Sequence, residues 1–452
     1  MSGSLRRQLG GLVRLALPLC LGHLGQQFMT IVDLAMLGRF SSASLAGAGL
    51  AHGILFTVTM IGIGTIMGLD TLVPQSLGAG EEKRARDLFR AGVRLSLLLT
   101  LPFSALIAGA ALVLPHTGVE SGVAAEASRY LLGRLPGIAP MLLFAAMRSY
   151  LQAHHVTRPI VVSMVLGNVI NFAAVGLLVF GDSGLARLGL PAIGLPAMGA
   201  LGAALATSVV LWVSLLVAAL AVRALHRGQT SGPRSAGGMR AIIRLGAPVG
   251  LQLLAEVGIF SLTGLMAATM GRLPSAGHQV ALVLASFSFS TALGIGAATS
   301  VQVGRAIGAG DTRAARRAGA IAMAVAAVLM GVGGLAFLVL PRQLASLFSD
   351  DEAVRSAAVP LLRIAAVFQL SDAIQAVSAG ALRGVGATRF TFVANLVGHY
   401  AVGLPVAFLL GFSLGMGAAG LWWGLSFGLT VVALVQSLRF RALTSRPVAR
   451  AG

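Results

Sequence analysis

The 452-residue chain is 56% hydrophobic and 10% charged, with a mean hydropathy of +0.89 and a formal net charge of +19. Soluble domains carry about 25% charged residues, so this composition excludes both a soluble fold of this size and intrinsic disorder. Nor does the positive charge point to nucleic acid, because the 33 Lys and Arg stand in short clusters between long apolar runs rather than on one face.

The chain opens MSGSLRRQLGGLVR before its first apolar run. Arg6 and Arg7 resemble the start of a secretory signal, but the run is too long and no small-residue cleavage site ends it. It reads as a retained first span. Further along, hydropathy places twelve helices near 12–37, 48–77, 92–114, 128–151, 160–181, 197–223, 244–270, 278–306, 318–341, 356–381, 390–411 and 416–438. These runs are continuous and longer than barrel strands, so helices rather than a β-barrel are expected. The single cysteine, Cys20, lies in the first run and reads as a small buried apolar residue. Pro18 and Pro248 each remove a backbone hydrogen bond and permit a bend.

Twelve spans put both termini on one side. Of the Lys and Arg, 25 fall at the N-terminus, in the even-numbered loops and at the C-terminus, and 8 (Arg134 among them) fall on the opposite side. The positive-inside rule therefore places both termini in the cytoplasm. A basic stretch rich in Gly, Ser and Pro, RALHRGQTSGPRSAGGMR, separates the sixth and seventh spans. The expected organisation is an N-lobe over 1–225, a cytoplasmic linker over 226–243 and a C-lobe over 244–452.

The two halves repeat each other. RLALPLCLGHL from Arg14 matches RLGAPVGLQLL from Arg244, and GAGEEKRAR from Gly78 matches GAGDTRAAR from Gly308, both at an offset of 230 residues. A third pair, LQAHHVTRP and LRGVGATRF, is offset by 231. With six spans per half the copies share orientation, so their axis runs along the membrane normal. This is the plan of transporters whose substrate site lies between two bundles near the midplane.

Four acids lie inside spans: Asp33, Asp70, Glu256 and Asp372. Each costs about 2.5–3.5 kcal/mol at a helix centre, so such residues mark pathways, ion sites or proton relays. Glu256 is twelve residues from Arg244 and Asp372 eleven from Arg383. Both are therefore about 16–18 Å deep. At one depth, the two carboxylates can flank one cation or share one proton. Asp33 lies nearer the outer end. Asp70, near a cytoplasmic end, reads first as a helix-end or interhelical hydrogen-bonding residue. No fixed cation stands out mid-span, so the expected cavity is anionic and its substrate an organic cation, with methionines and phenylalanines as adaptable walls.

Asn168 and Asn171 share a face of the fifth span and extend the polar cluster around Asp33. His278 and Gln279 open the eighth span; Gln279 and Phe368 join Asn168 and Asn171 as expected polar-cavity and substrate residues, and Trp422 and Trp423 read as packing or interface anchors. The chain has no Walker A sequence, no Cys/His metal spacing and no nucleophile elbow. An enzyme is therefore not expected, nor a cofactor. The energy source expected is an ion gradient acting on the buried acids, and the working form a monomer in the bilayer.

Taken together, these stretches resemble the multidrug and toxic compound extrusion (MATE) antiporters, in particular their bacterial NorM-like branch. The most specific are RLGAPVGLQLLAEVGIFSL with Glu256, AGHQVAL with Gln279, QLSDAIQAVSAGALRGVGATR with Asp372, and LPLCLGHLGQQFMTIVDLAMLG, which sets Asp33 fifteen residues after Pro18. The resemblance covers nearly the whole chain. It implies an all-α membrane fold of twelve helices in two pseudo-symmetric six-helix bundles, and a cation-coupled efflux antiporter of the bacterial inner membrane that exchanges organic cations for Na⁺ or H⁺. The implied C-lobe cation site falls on Glu256 and Asp372, where Na⁺ would be held. The implied N-lobe acid and asparagine fall on Asp33 and Asn171, and Asp33 is expected to take part in cation coupling beside Glu256 and Asp372. Two departures stand out. In one branch an Asp follows that asparagine by four residues, where this chain has Val175. Some NorM-like proteins carry a Tyr one turn before the C-lobe Asp, where Phe368 offers a cation–π face but no hydroxyl. The alternative, a lipid-linked precursor flippase of a related fold, would need basic residues in the cavity.

Overall fold

A computed structural model describes residues 2–187, 189, 191–227 and 238–451. The fold is all-α, with twelve helical spans long and apolar enough to cross a membrane. They are α1 (Gln8–Phe40), α2 (Ser42–Gly78), α3 (Glu82–His116), α4 (Ser121–Ala153), α5 (Arg158–Phe180), α6 (Ala200–Leu225), α7 (Gly238–Thr269), α8 (Arg272–Gly308), α9 (Thr312–Val339), α10 (Glu352–Val385), α11 (Thr388–Ser413) and α12 (Gly417–Leu443). Helices satisfy every backbone donor and acceptor within the segment, which lipid demands. All twelve expected spans are present, and several begin earlier than hydropathy suggests. Helix α3 starts ten residues early because its first turns are polar, and α7 starts at Gly238 because Ile242 is fully buried. Residues 228–237 of the expected linker lie outside the described residues.

Irregularities have local causes. Helix α2 is interrupted after Ile66, at Met67 and Gly68, and resumes at Leu69. Helix α11 contains two π-helical stretches, Val397–Gly403 and Leu409–Ser413, on either side of Pro405. A proline ring lacks the N–H and collides with the preceding turn, and a wider π turn absorbs the mismatch.

The chain forms two compact units. One comprises Met1–His23, Asp70–Glu82 and Leu251–Gly452, and the other Leu24–Leu69 and Lys83–Gly250. Each unit therefore draws on both halves of the sequence.

In the first unit the 230-residue repeat is visible as packing. A Cβ on Gly78 would strike the Arg305 backbone, and a Cβ on Gly308 would strike the Gln75 backbone. Gly308 and Arg305 are the repeat partners of Gly78 and Gln75, so the two helix ends cross symmetrically, each excluding any side chain at its glycine. Cys20 is buried as expected and donates its Sγ–H to the Thr291 carbonyl at 3.2 Å.

The segment 70–82 is fastened to the C-terminal end of α10. Thr71 Oγ1 donates to the Arg383 carbonyl at 2.6 Å and Gln75 Nε2 to the Gly384 carbonyl at 2.8 Å. Ser300 Oγ donates to the Asp70 carbonyl at 3.2 Å, and Arg383 Nη1 stands 3.9 Å from Asp70 Oδ2. The Asp70 side chain meets Arg383 only as a buried ion pair, and its Oδ1 has no hydrogen-bond partner among the described residues, so the bonds that fasten this segment run through its backbone and its neighbours.

Candidate functional site

In the unit containing most of the second half, Glu256 projects from α7 two turns beyond Pro248. Its Oε1 accepts from Gln252 Nε2, one turn earlier on the same helix, at 3.0 Å, and from Gln375 Nε2 of α10 at 2.8 Å. Gln375 Nε2 also lies 3.4 Å from Asn395 Oδ1 of α11, and Asn395 Nδ2 donates to the Thr391 carbonyl. Two glutamines and an asparagine thus hold one carboxyl in register. Glu256 itself remains half-buried.

Asp372 sits one turn before Gln375 on α10 and is 6% exposed. Its carboxyl and that of Glu256 are close enough to repel each other, and among the described residues none donates a hydrogen bond to Asp372. Two neighbouring carboxylates withdrawn from bulk water cannot both remain bare anions. A proton or a monovalent cation between them resolves the repulsion. Among the described residues no three His, Cys, Asp or Glu converge as a metal cage. A cation here would be held by two carboxyl groups and the neighbouring amide oxygens, a hard-oxygen set suited to Na⁺ or a proton.

Phe368, one turn before Asp372, is 2% exposed. Its ring meets Phe260 edge-on at 6.1 Å and Trp422 at 5.7 Å. Trp422 is fully buried and donates through Nε1 to His278 Nδ1 at 3.2 Å, so both residues pack in the core of this unit while Trp423 is exposed. Gln279 points away from this core and is exposed.

The second unit holds Asp33. The residue is 6% exposed and accepts at Oδ1 from Asn171 Nδ2 of α5 and at Oδ2 from Thr207 Oγ1 of α6 at 3.1 Å. Asn168 lies one turn away and donates to the Met164 carbonyl at 2.9 Å and the Gly25 carbonyl at 3.2 Å, so it joins helices rather than touching the carboxylate. Val175, one turn beyond Asn171 on the other side, is fully buried.

The expectation that no fixed cation lies mid-span is corrected here. Arg134, counted with the outer loops, is inside α4 and 7% exposed, and its charge acts on Asp33. Arg383 is also buried, but it stands at the end of α10 beside Asp70 and not mid-span. Sequence reasoning also passed over Gln252, Gln375, Asn395 and Thr207. The two glutamines had a readable signal, since they fall four residues before Glu256 and three after Asp372, on the same helix faces. Thr207 and Asn395 reach the carboxyl clusters only through packing between distant helices.

The geometry is that of a membrane transporter of twelve spans with two intramembrane acid clusters. The chain matches the MatE family over residues 18–175 and 248–409 and belongs to it. It is 36% identical over 450 residues, 96% of this chain and 94% of the relative, to the probable multidrug resistance protein NorM of Bradyrhizobium diazoefficiens. It is 34% identical over 464 residues to the multidrug resistance protein NorM of Burkholderia vietnamiensis, covering 99% of this chain and 96% of that one. Among solved structures, the eukaryotic MATE transporter AtDTX14 superimposes with a TM-score of 0.83 at 23% identity, covering 97% and 99% of the two chains. An outward-facing multidrug resistance MATE transporter does so at 0.86 and 19% identity, covering 96% and 95%. The chain is thus a multi-pass membrane transporter and not an enzyme.

Proposed function

We propose that this protein is a cation-coupled multidrug efflux antiporter that exports organic cations in exchange for Na⁺ or H⁺ by alternating access. The carrying observation is the Glu256–Asp372 pair: two intramembrane carboxyls side by side, one fixed by amides and the other unpartnered. The family, and relatives named as multidrug resistance proteins, support export of small molecules. The protein works as a monomer of two lobes, 1–225 and 244–452, in the bacterial cytoplasmic membrane with both termini inside.

In this mechanism drug and coupling ion compete. A cationic drug entering from the cytoplasm is drawn to the protein only while the acids are free of Na⁺ or protons. On the outer side, the ion binds Glu256 and Asp372, removes their charge and expels the drug. The competition is the coupling, because each ligand lowers the affinity for the other by the same factor. The membrane potential contributes about 2.3 kcal/mol per charge per 100 mV. Asp33, held by Asn171 and Thr207, lines the drug path in the first lobe.

The test is efflux of a fluorescent organic cation from proteoliposomes with Na⁺ and pH gradients imposed separately. One gradient should drive efflux, and Glu256→Gln and Asp372→Asn should each abolish it. Efflux that persists in both variants would remove the acids from the mechanism.

A further inference from the structure

Arg134 is the one feature of the acid clusters that export of simple cations does not use. It ends the first helical stretch of α4, Ser121–Arg134, thirteen residues from its outer end. At about 1.5 Å per residue that is ~20 Å from the helix end, near the middle of α4. An arginine there is costly, and such residues are kept for ligands and pathways. Its side chain is buried, yet Nε and Nη1 have no hydrogen-bond partner. Unmade bonds on a buried cation are expensive, which is the condition for recruiting an anionic group.

The position is tied to Asp33 through α6. Consecutive residues of that helix do two jobs: Thr207 donates to Asp33, and Ser208 Oγ donates to the carbonyl of Gly133, the residue before Arg134, at 3.0 Å. Arg134 is also a charge neighbour of Asp33, His52 and Tyr130, drawn from α1, α2 and α4. No ion pair closes Asp33 onto Arg134, because the aspartate oxygens are already taken by Asn171 and Thr207. The unit therefore presents a fixed negative group and a fixed positive group that do not quench each other by contact.

We propose that Arg134 is a substrate-specificity residue: its guanidinium receives the carboxylate of zwitterionic substrates while Asp33 faces their amine. A planar guanidinium with free N–H groups matches a carboxylate in fork geometry. The inference rests on the efflux reading above and names the residue that separates compounds bearing both charges from plain cations.

The experiment uses two dyes of one frame, rhodamine B, a zwitterion at neutral pH, and rhodamine B ethyl ester, a cation. Binding to purified full-length protein is read by fluorescence polarisation for wild type, Arg134→Gln and Arg134→Lys. Arg134→Gln should weaken the zwitterion by about tenfold or more, the scale of one lost charge-assisted pair, and leave the ester within about twofold. Arg134→Lys, which keeps the charge and loses the fork, should fall between, and it carries the test alone if Arg134→Gln does not fold. Equal weakening of both dyes, or of neither, would overturn the assignment and leave Arg134 a structural counter-charge. If wild type binds the zwitterion but not the ester, or neither dye, the organic-cation reading itself fails and this inference with it.

Discussion

The two acid clusters answer their charge in opposite ways. Asp33 has both oxygens occupied by fixed neutral donors, and a buried arginine balances it electrostatically. In the other cluster the amide network serves one carboxyl: Glu256 takes both donors, and its neighbour Asp372 takes none. A carboxylate that is already satisfied has little to gain from a mobile cation. A pair that is under-satisfied must acquire one. From this contrast we propose that the coupling ion is bound and released at the C-terminal cluster and that Asp33, expected from sequence to share in coupling, instead serves the organic ligand.

The largest effect that would break the contrast is removal of a C-terminal acid. Asp372→Asn should reduce gradient-driven efflux to that of empty vesicles, whereas Asp33→Asn should leave the ion dependence of the residual transport unchanged while altering drug affinity. Next comes the amide that orients Glu256. Gln375→Leu keeps the bulk and leaves a carboxylate short of one donor, a loss of about 1.5–3 kcal/mol for a hydrogen bond to a charged group. It should shift the ion concentration for half-maximal efflux by about tenfold or more, with the drug Kd little changed.

Thr207→Val removes a single hydroxyl from Asp33 at nearly constant volume. Its cost, about 1–2 kcal/mol, should appear as a several-fold rise in drug Kd with no change in ion dependence. A still smaller effect is expected away from both clusters. His226, just beyond the end of α6, lies 3.0 Å from the Tyr150 hydroxyl. Partial burial, and then the positive charges of Arg86, His154 and Arg90, push its pKa below the ordinary histidine value. The unfolded chain therefore takes up a proton that the folded protein resists, so stability falls as pH drops below about 6.5. A slight decline in Tm between pH 7 and 5 should flatten in His226→Gln, with transport coupling unaffected.

Much of this was legible in the sequence because lipid makes charge conspicuous. Glu256 and Asp372 stand out in apolar runs, their distances from Arg244 and Arg383 give matching depths, and the structure brings them together. Asn171 was readable by the same logic, one helix turn from Asn168, and it is Asn171 that reaches Asp33. The packing partners were not readable. Thr207 is one of many hydroxyls that could cap its own helix, and it also does so, on the Ala203 carbonyl. Arg134 was hidden by the counting rule itself: it lies inside the expected span 128–151, yet the tally counted it with the residues of the outer side. The π turns around Pro405 depend on how neighbouring turns relieve one clash, which composition does not encode.

The most direct measurement is the ion released or taken up when drug binds. Purified protein in detergent would be titrated with a cationic dye while protons are followed by a pH indicator and Na⁺ by a selective electrode, for wild type, Asp33→Asn and Asp372→Asn. Drug binding should displace the coupling ion from wild type and from Asp33→Asn at the same stoichiometry, and displace none from Asp372→Asn. Ion displacement retained in Asp372→Asn and lost in Asp33→Asn would place coupling in the other cluster and contradict the account.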